Sequence, residues 1–139
     1  MRFLLKIAAL SLFCIQSAFA QSPDQEQIKQ LMKHQFDKPH APLSVAPIAV
    51  VGDHALASWI QIDSGGRALL VRHHGKWSIA LCGGDGLTQV DVLEKTGMSK
   101  QVAAQLSKQL VEGESKLSPK HKKMFSMFKG EVKVDHHQH

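Results

Sequence analysis

LSVAPIAVVGDHALASWIQIDSGGRALLVRHHGKWSIALC, residues Leu43 to Cys82, is the stretch that decides the fold. Apolar residues run through it, and turn signals interrupt it at Gly52-Asp53, Ser64-Gly65-Gly66 and His74-Gly75. The pattern predicts a four-stranded antiparallel meander with strands Leu43–Val51, Ala55–Asp63, Arg67–His73 and Lys76–Cys82, joined by tight hairpins. Along the second strand Leu56, Ser58, Ile60 and Ile62 alternate with Ala57, Trp59 and Gln61. Neither set is strongly polar, so much of both sheet faces is expected to be covered.

Upstream, Ser22-Pro23 followed by Gln25 supplies a cap, a first-turn proline and a capping-box partner. Ile28, Leu31, Met32 and Phe36 then recur at helical spacing, which predicts a helix from Pro23 to Phe36 that ends at Asp37-Lys38-Pro39. Downstream, the Gly83–Gly86 loop closes the sheet and helical signals return. A helix from Gln89 to Lys95 stops at Gly97, and Ser99 opens a second with Val102, Ala103, Leu106 and Leu110 in its core stripe. Ser118-Pro119 opens a last helix to Lys129, and Glu131–Val134 is readable as a short edge strand. The expected fold is α+β: an N-terminal helix on the meander with C-terminal helices completing the layer, in the manner of cystatin-like or nuclear-transport-factor-like (NTF2-like) cones. No internal repeat is present.

At 139 residues, 43% hydrophobic and 21% charged, the chain has the composition of one globular domain. Residues 1–20 read as a secretory signal, with Arg2 and Lys6, an apolar run from Ile7 to Ile15 and the exit Ala18-Phe19-Ala20. The expected organisation is cleavage after Ala20, a single domain over residues 21–134 and a flexible His-rich tail over residues 135–139. The apolar run is shorter than the roughly 20 residues a bilayer needs, so no membrane anchor is expected after cleavage. Fifteen basic residues then face twelve acidic ones, a net charge of +3 that tracks no phosphate backbone. Nucleic acid is not an expected partner. Cys82 is the only cysteine beyond the signal, so no internal disulfide is available, and all nine histidines lie there too.

Imidazole is the donor in excess. His136, His137 and His139 put three in four residues, a set suited to copper, zinc or nickel and to capture and hand-over of the ion. His121, Met124 and Met127 lie at helical spacing on the expected last helix and would offer imidazole and thioether to Cu(I). The competing reading is a core surface continued by Phe125 and Phe128, and Lys120, Lys122 and Lys123 would repel a cation. His73 and His74 belong to a hairpin tip, and His34, His40 and His54 are scattered surface residues. Cys82 ends a strand ahead of a glycine loop carrying Asp85. It reads first as a buried structural thiol, second as a metal ligand and third as a nucleophile, for which no local histidine signature is present. The glycine loop lacks the lysine and following Ser/Thr of a phosphate-binding loop, so no nucleotide cofactor is implied.

Phe36-Asp37-Lys38-Pro39 with Ala41-Pro42-Leu43, Val51-Gly52-Asp53, Ala57-Ser58-Trp59, Gly66-Arg67-Ala68-Leu69-Leu70, and Trp77 leading to Leu81-Cys82-Gly83-Gly84-Asp85-Gly86-Leu87 together resemble one family. It is the copper uptake system-associated proteins, small exported proteins of Gram-negative bacteria. The resemblance covers nearly all of the expected mature chain. It implies a periplasmic role beside copper acquisition, with periplasmic copper carriers or an outer-membrane copper receptor as partners, and no known reaction; the expected function is a non-enzymatic accessory. The resemblance transfers no metal ligand. Copper binding through His136, His137, His139, Cys82, His121, Met124 and Met127 is therefore an expectation from side-chain chemistry. The alternatives are a metal-free protein-interaction module and, third, a thiol-dependent enzyme using Cys82.

Overall fold

Ser22 opens the first helix, α1 (Pro23–Phe36), through the expected capping box. Its Oγ accepts the Gln25 amide at 3.3 Å, and Gln25 Oε1 accepts the Ser22 amide at 3.0 Å. The computed structural model describes residues 22–134. After α1 come β1 (Leu43–Val51), β2 (His54–Gln61), β3 (Ser64–His73) and β4 (Lys76–Gly83). A 3₁₀ turn at Asp85–Thr88 leads to α2 (Val90–Glu94), α3 (Lys100–Ser115), α4 (Pro119–Phe125) and β5 (Glu131–Lys133). Ser99 and Ser118 cap α3 and α4 by accepting the amides of Val102 and His121.

The sheet runs in the order β1-β2-β3-β4-β5 with every pair antiparallel, so the four expected strands gain a fifth. The molecule is α+β, as expected. Its helices cover both faces of the sheet, as the lack of a polar set in the second strand led one to expect. Ile28 and Met32 of α1 pack on Val45, Ile48, Ala57 and Leu70, while Leu106 and Leu110 of α3 pack with Leu56, Leu69 and Leu81 on the opposite face. Two apolar clusters thus sandwich one sheet, which is why β2 alternates without a polar side.

Two bulges set which residue faces which cluster. Between β1 and β2 the register slips between Val45 and Ile48, so both reach the α1 side. Between β3 and β4, Leu69 pairs with Leu81 but Leu70 with Ile79, leaving Ala80 as the extra residue. Strict alternation from Ile79 would put Leu81 on the α1 side. The bulge sends Leu81 to the α3 side and brings Cys82 to the α1 side.

The β2–β3 turn also differs from expectation. It falls at Ile62-Asp63, with Ile62 at φ 54°, and Ser64, Gly65 and Gly66 belong to β3. These glycines serve close approach. A Cβ on Gly65 would lie 2.8 Å from the Met124 carbonyl oxygen, and one on Gly66 would lie 2.9 Å from both Phe128 Cβ and Trp59 Cζ2. The last helix ends at Phe125, not at Lys129, and Met127–Lys129 continue in irregular backbone. The His74-Gly75 turn is as expected, with both residues at positive φ, 50° and 76°.

Candidate functional site

On the α1 side, the sheet does not close against the chain packed over it. A cavity of about 230 Å³ remains at the C-terminal end of α1. Met32 and Phe36 of α1 form one wall, and Leu43, Trp59, Gln61 and Cys82 of the sheet and its first edge form the floor. The third wall is the C-terminal segment, through Phe128, Val132 and Val134. Trp59 and Phe128 meet edge to face, with centroids 6.0 Å apart and planes at 80°. Besides the Cys82 thiol, the amide of Gln61 and the indole N–H of Trp59 are the polar groups among the lining side chains. Gln61 Nε2 donates to the carbonyl oxygens of Phe36 at 2.9 Å and Ala41 at 2.8 Å, which pins the α1–β1 connection to the floor.

Cys82 reaches this cavity because of the Ala80 bulge. It is half-buried among apolar groups, and that burial pushes its thiol above the ordinary value. Near neutral pH the thiol form is favoured, which opposes nucleophilic use. β5 runs alongside, with Val132 opposite Cys82 and the Val134 amide donating to the Ala80 carbonyl at 3.2 Å. The described chain therefore ends at the cavity wall, beside its own thiol.

On the α3 side lies a buried polar network that the sequence reading did not find. Arg67 of β3 donates from Nε and Nη2 to the two oxygens of Glu114 on α3, each at 2.8 Å, and from Nη1 to Asp85 at 3.0 Å. Ser58 Oγ donates to Glu114 Oε1 at 2.5 Å, and Ser126 Oγ donates to Asp85 Oδ1 at 2.6 Å. Arg67 is 5% exposed and Glu114 6%. Burial disfavours the Arg67 charge, but the bonds and charge of Glu114, with those of Asp85, outweigh it and hold its pKa above the ordinary value. The Ser126 and Arg67 hydrogen bonds hold the Asp85 carboxyl below the usual range.

This network explains the chemistry of the Cys82–Leu87 loop. Asp85 does not serve Cys82: it anchors the loop to Arg67 and to the end of α4. The Phe125 carbonyl lies 3.5 Å from Arg67 Nη1, so the guanidinium also meets a helix-end acceptor. A Cβ on Gly84 would stand 2.5 Å from the Phe128 carbonyl oxygen. Glycine there lets the segment after α4 lie on the loop, and that segment carries the third cavity wall. No long-range sequence signal marked Glu114, which is 47 residues from its partner.

The proposed methionine and histidine set is not assembled. Met124 is buried at 7% exposure, whereas His121 is exposed and Met127, beyond the helix end, is 46% exposed. The shared helical face expected for the three residues requires a helix that continues past Phe125. Met124 fills core, as the competing reading had it. Among the described residues no group of three or more His, Cys, Asp or Glu is placed to hold a metal. His73 and His74 are exposed at their hairpin tip. His136, His137 and His139 lie outside the described residues, as do the signal segment and its cleavage site. No described helix is long and apolar enough to cross a membrane.

Comparison with protein-family models, curated proteins and solved structures returns no match to this chain. The family resemblance thus stands on the quoted residues, and the cone-like likeness on element order.

Proposed function

We propose that this chain is a non-enzymatic periplasmic accessory of copper uptake, binding or passing copper to periplasmic carriers or from an outer-membrane receptor. The observation that carries the reading is where β5 ends. Val132 is the register partner of Cys82, and His136 follows it by four residues, a chain span of at most about 14 Å. The strand paired with the thiol thus leads directly into the histidine-bearing end of the sequence, and thiol and imidazole are both donors for a soft or borderline ion. Copper is cargo on this reading, held by few ligands and released without chemistry. The raised thiol pKa weighs against permanent ligation by Cys82, because a thiol must lose its proton to bind metal.

Copper titration of the chain beginning at Gln21, with and without residues 135–139, tests the reading. Deletion is expected to lower copper affinity at unchanged thermal stability, and affinity in the longer chain is expected to weaken below about pH 6 as protons compete for imidazole. Equal affinity and stoichiometry in the two chains would remove the histidine-bearing end from the reading, and no copper binding by either chain would refute it and favour a metal-free interaction module.

A further inference from the structure

The α1-side cavity has a size, a lining and an opening of its own, none of which a copper ion requires. We propose that it binds a flat ring compound of about nine heavy atoms, mostly apolar and carrying one hydrogen-bond donor, scaling from benzene in a cavity of about 150 Å³. The proposal does not depend on the copper reading.

Three aromatic side chains, Phe36, Trp59 and Phe128, and two sulfurs, from Met32 and Cys82, contribute to the walls. Aromatic edges and polarisable sulfur favour a flat π-system over a branched aliphatic group. Both amide hydrogens of Gln61 are already donated to backbone carbonyls, so its remaining hydrogen-bonding capacity is that of an acceptor. A ligand N–H or O–H matches that capacity, whereas a carboxylate or phosphate finds no cationic side chain on the walls. An apolar void of this size forfeits packing contacts along its lining, so filling it is favourable.

The chain outside the described residues is a poor occupant. Asp135–His139 continues directly from the wall at Val134, but its five residues are all polar. Residues 1–21 contain an apolar run with enough chain to span the 14-residue α1, about 21 Å long, but the expected cleavage after Ala20 removes that run from the mature chain. A foreign ring compound is the occupant that size and chemistry select.

Indole, with nine heavy atoms and one N–H, is the probe. Calorimetry on the chain beginning at Gln21 should give one saturable site, and saturating indole should slow iodoacetamide alkylation of Cys82 by about tenfold or more. Val134→Trp, which fills the cavity from its C-terminal wall, should weaken indole binding at least about tenfold without lowering the melting temperature. No saturable binding, an unchanged Cys82 rate at saturation, or full binding by a folded Val134→Trp chain would each overturn the proposal. Heptan-1-ol binding as tightly as indole would overturn the preference for a ring. Indole binding that vanishes when residues 1–20 are retained would assign the cavity to the chain's own leader.

Discussion

Arg67 and Arg72 lie five residues apart on β3, an odd spacing that sends them to opposite faces of the sheet, and each gathers two carboxylates. Arg67, with 6% of its side chain exposed, faces α3 and takes Glu114 and Asp85. Arg72, with 27% exposed, takes Asp24 of α1 at 2.7 Å and Asp53 at 2.9 Å. It also lies 4.8 Å from the Trp77 ring centre, and Trp77 Nε1 donates to Asp24 at 3.1 Å. The two clusters use the same chemistry in different surroundings. Water screens the Arg72 group and solvates any partner left alone, whereas Arg67 and Glu114 have only their protein partners. One cluster therefore adds modestly to stability, and the other fixes which elements may lie together.

The largest effect should come from Glu114→Ala, which leaves Arg67 buried and half-served and takes the acceptor from Ser58. A loss of about 3–5 kcal/mol is expected in urea unfolding. Combining Arg67→Met with Glu114→Leu should recover most of it, since an apolar pair of similar volume removes the stranded charge. A double variant as unstable as Glu114→Ala would break the comparison, because the cost would then lie in shape and not in charge.

Arg72→Ala should cost much less than Glu114→Ala, since it removes only a screened ion pair and a partly exposed cation–π contact. Its effect should shrink further in about 0.5 M salt, while that of Glu114→Ala should not. Equal salt sensitivity of the two variants would erase the distinction drawn from burial.

Much of the fold was legible because its signals are local. The Ser22/Gln25 box, the Ser99 and Ser118 caps, and the Gly52-Asp53 and His74-Gly75 turns each act within four residues. What was misread depends on distant chain. Gly65 and Gly66 look like turn residues, yet they are strand residues kept small by Met124 and Phe128, about sixty positions away. The helix expected to reach Lys129 stops at Phe125, where Ser126 turns to Asp85 and Phe128 lies against Gly84. Of the candidate site, only the isolated positions could be read. The Ala80 bulge that turns Cys82 into the cavity leaves no pattern in β4, and Arg67–Glu114 joins residues that periodicity treats separately. The Gly66-Arg67 and Gly83–Leu87 stretches gain a physical meaning from this. Arg67, Gly84 and Asp85 hold the C-terminal segment over the sheet, so they build the cavity's wall without lining it.

The smallest and sharpest test concerns Asp85, whose side chain joins the buried Arg67 yet is itself 66% exposed. Its folded-state pKa is depressed by hydrogen bonds from Ser126 and then Arg67. A depressed carboxylate contributes stability that is fully present above its unfolded value of about 4 and is lost as pH falls through the folded value. Asp85→Asn keeps an acceptor but removes the charge, so the gap between wild type and variant should be widest above about pH 5 and should close toward about pH 2. Exposure and screening keep that gap below about 1 kcal/mol. Asp37, also depressed, chiefly by the Leu43 amide, is present in both proteins and contributes alike to each, so the difference between them isolates Asp85. Urea unfolding at a series of pH values measures it. A gap of constant size from pH 2 to 7 would mean that Asp85 acts through shape alone, and the loop would then be held by its glycines rather than by the charge on Arg67.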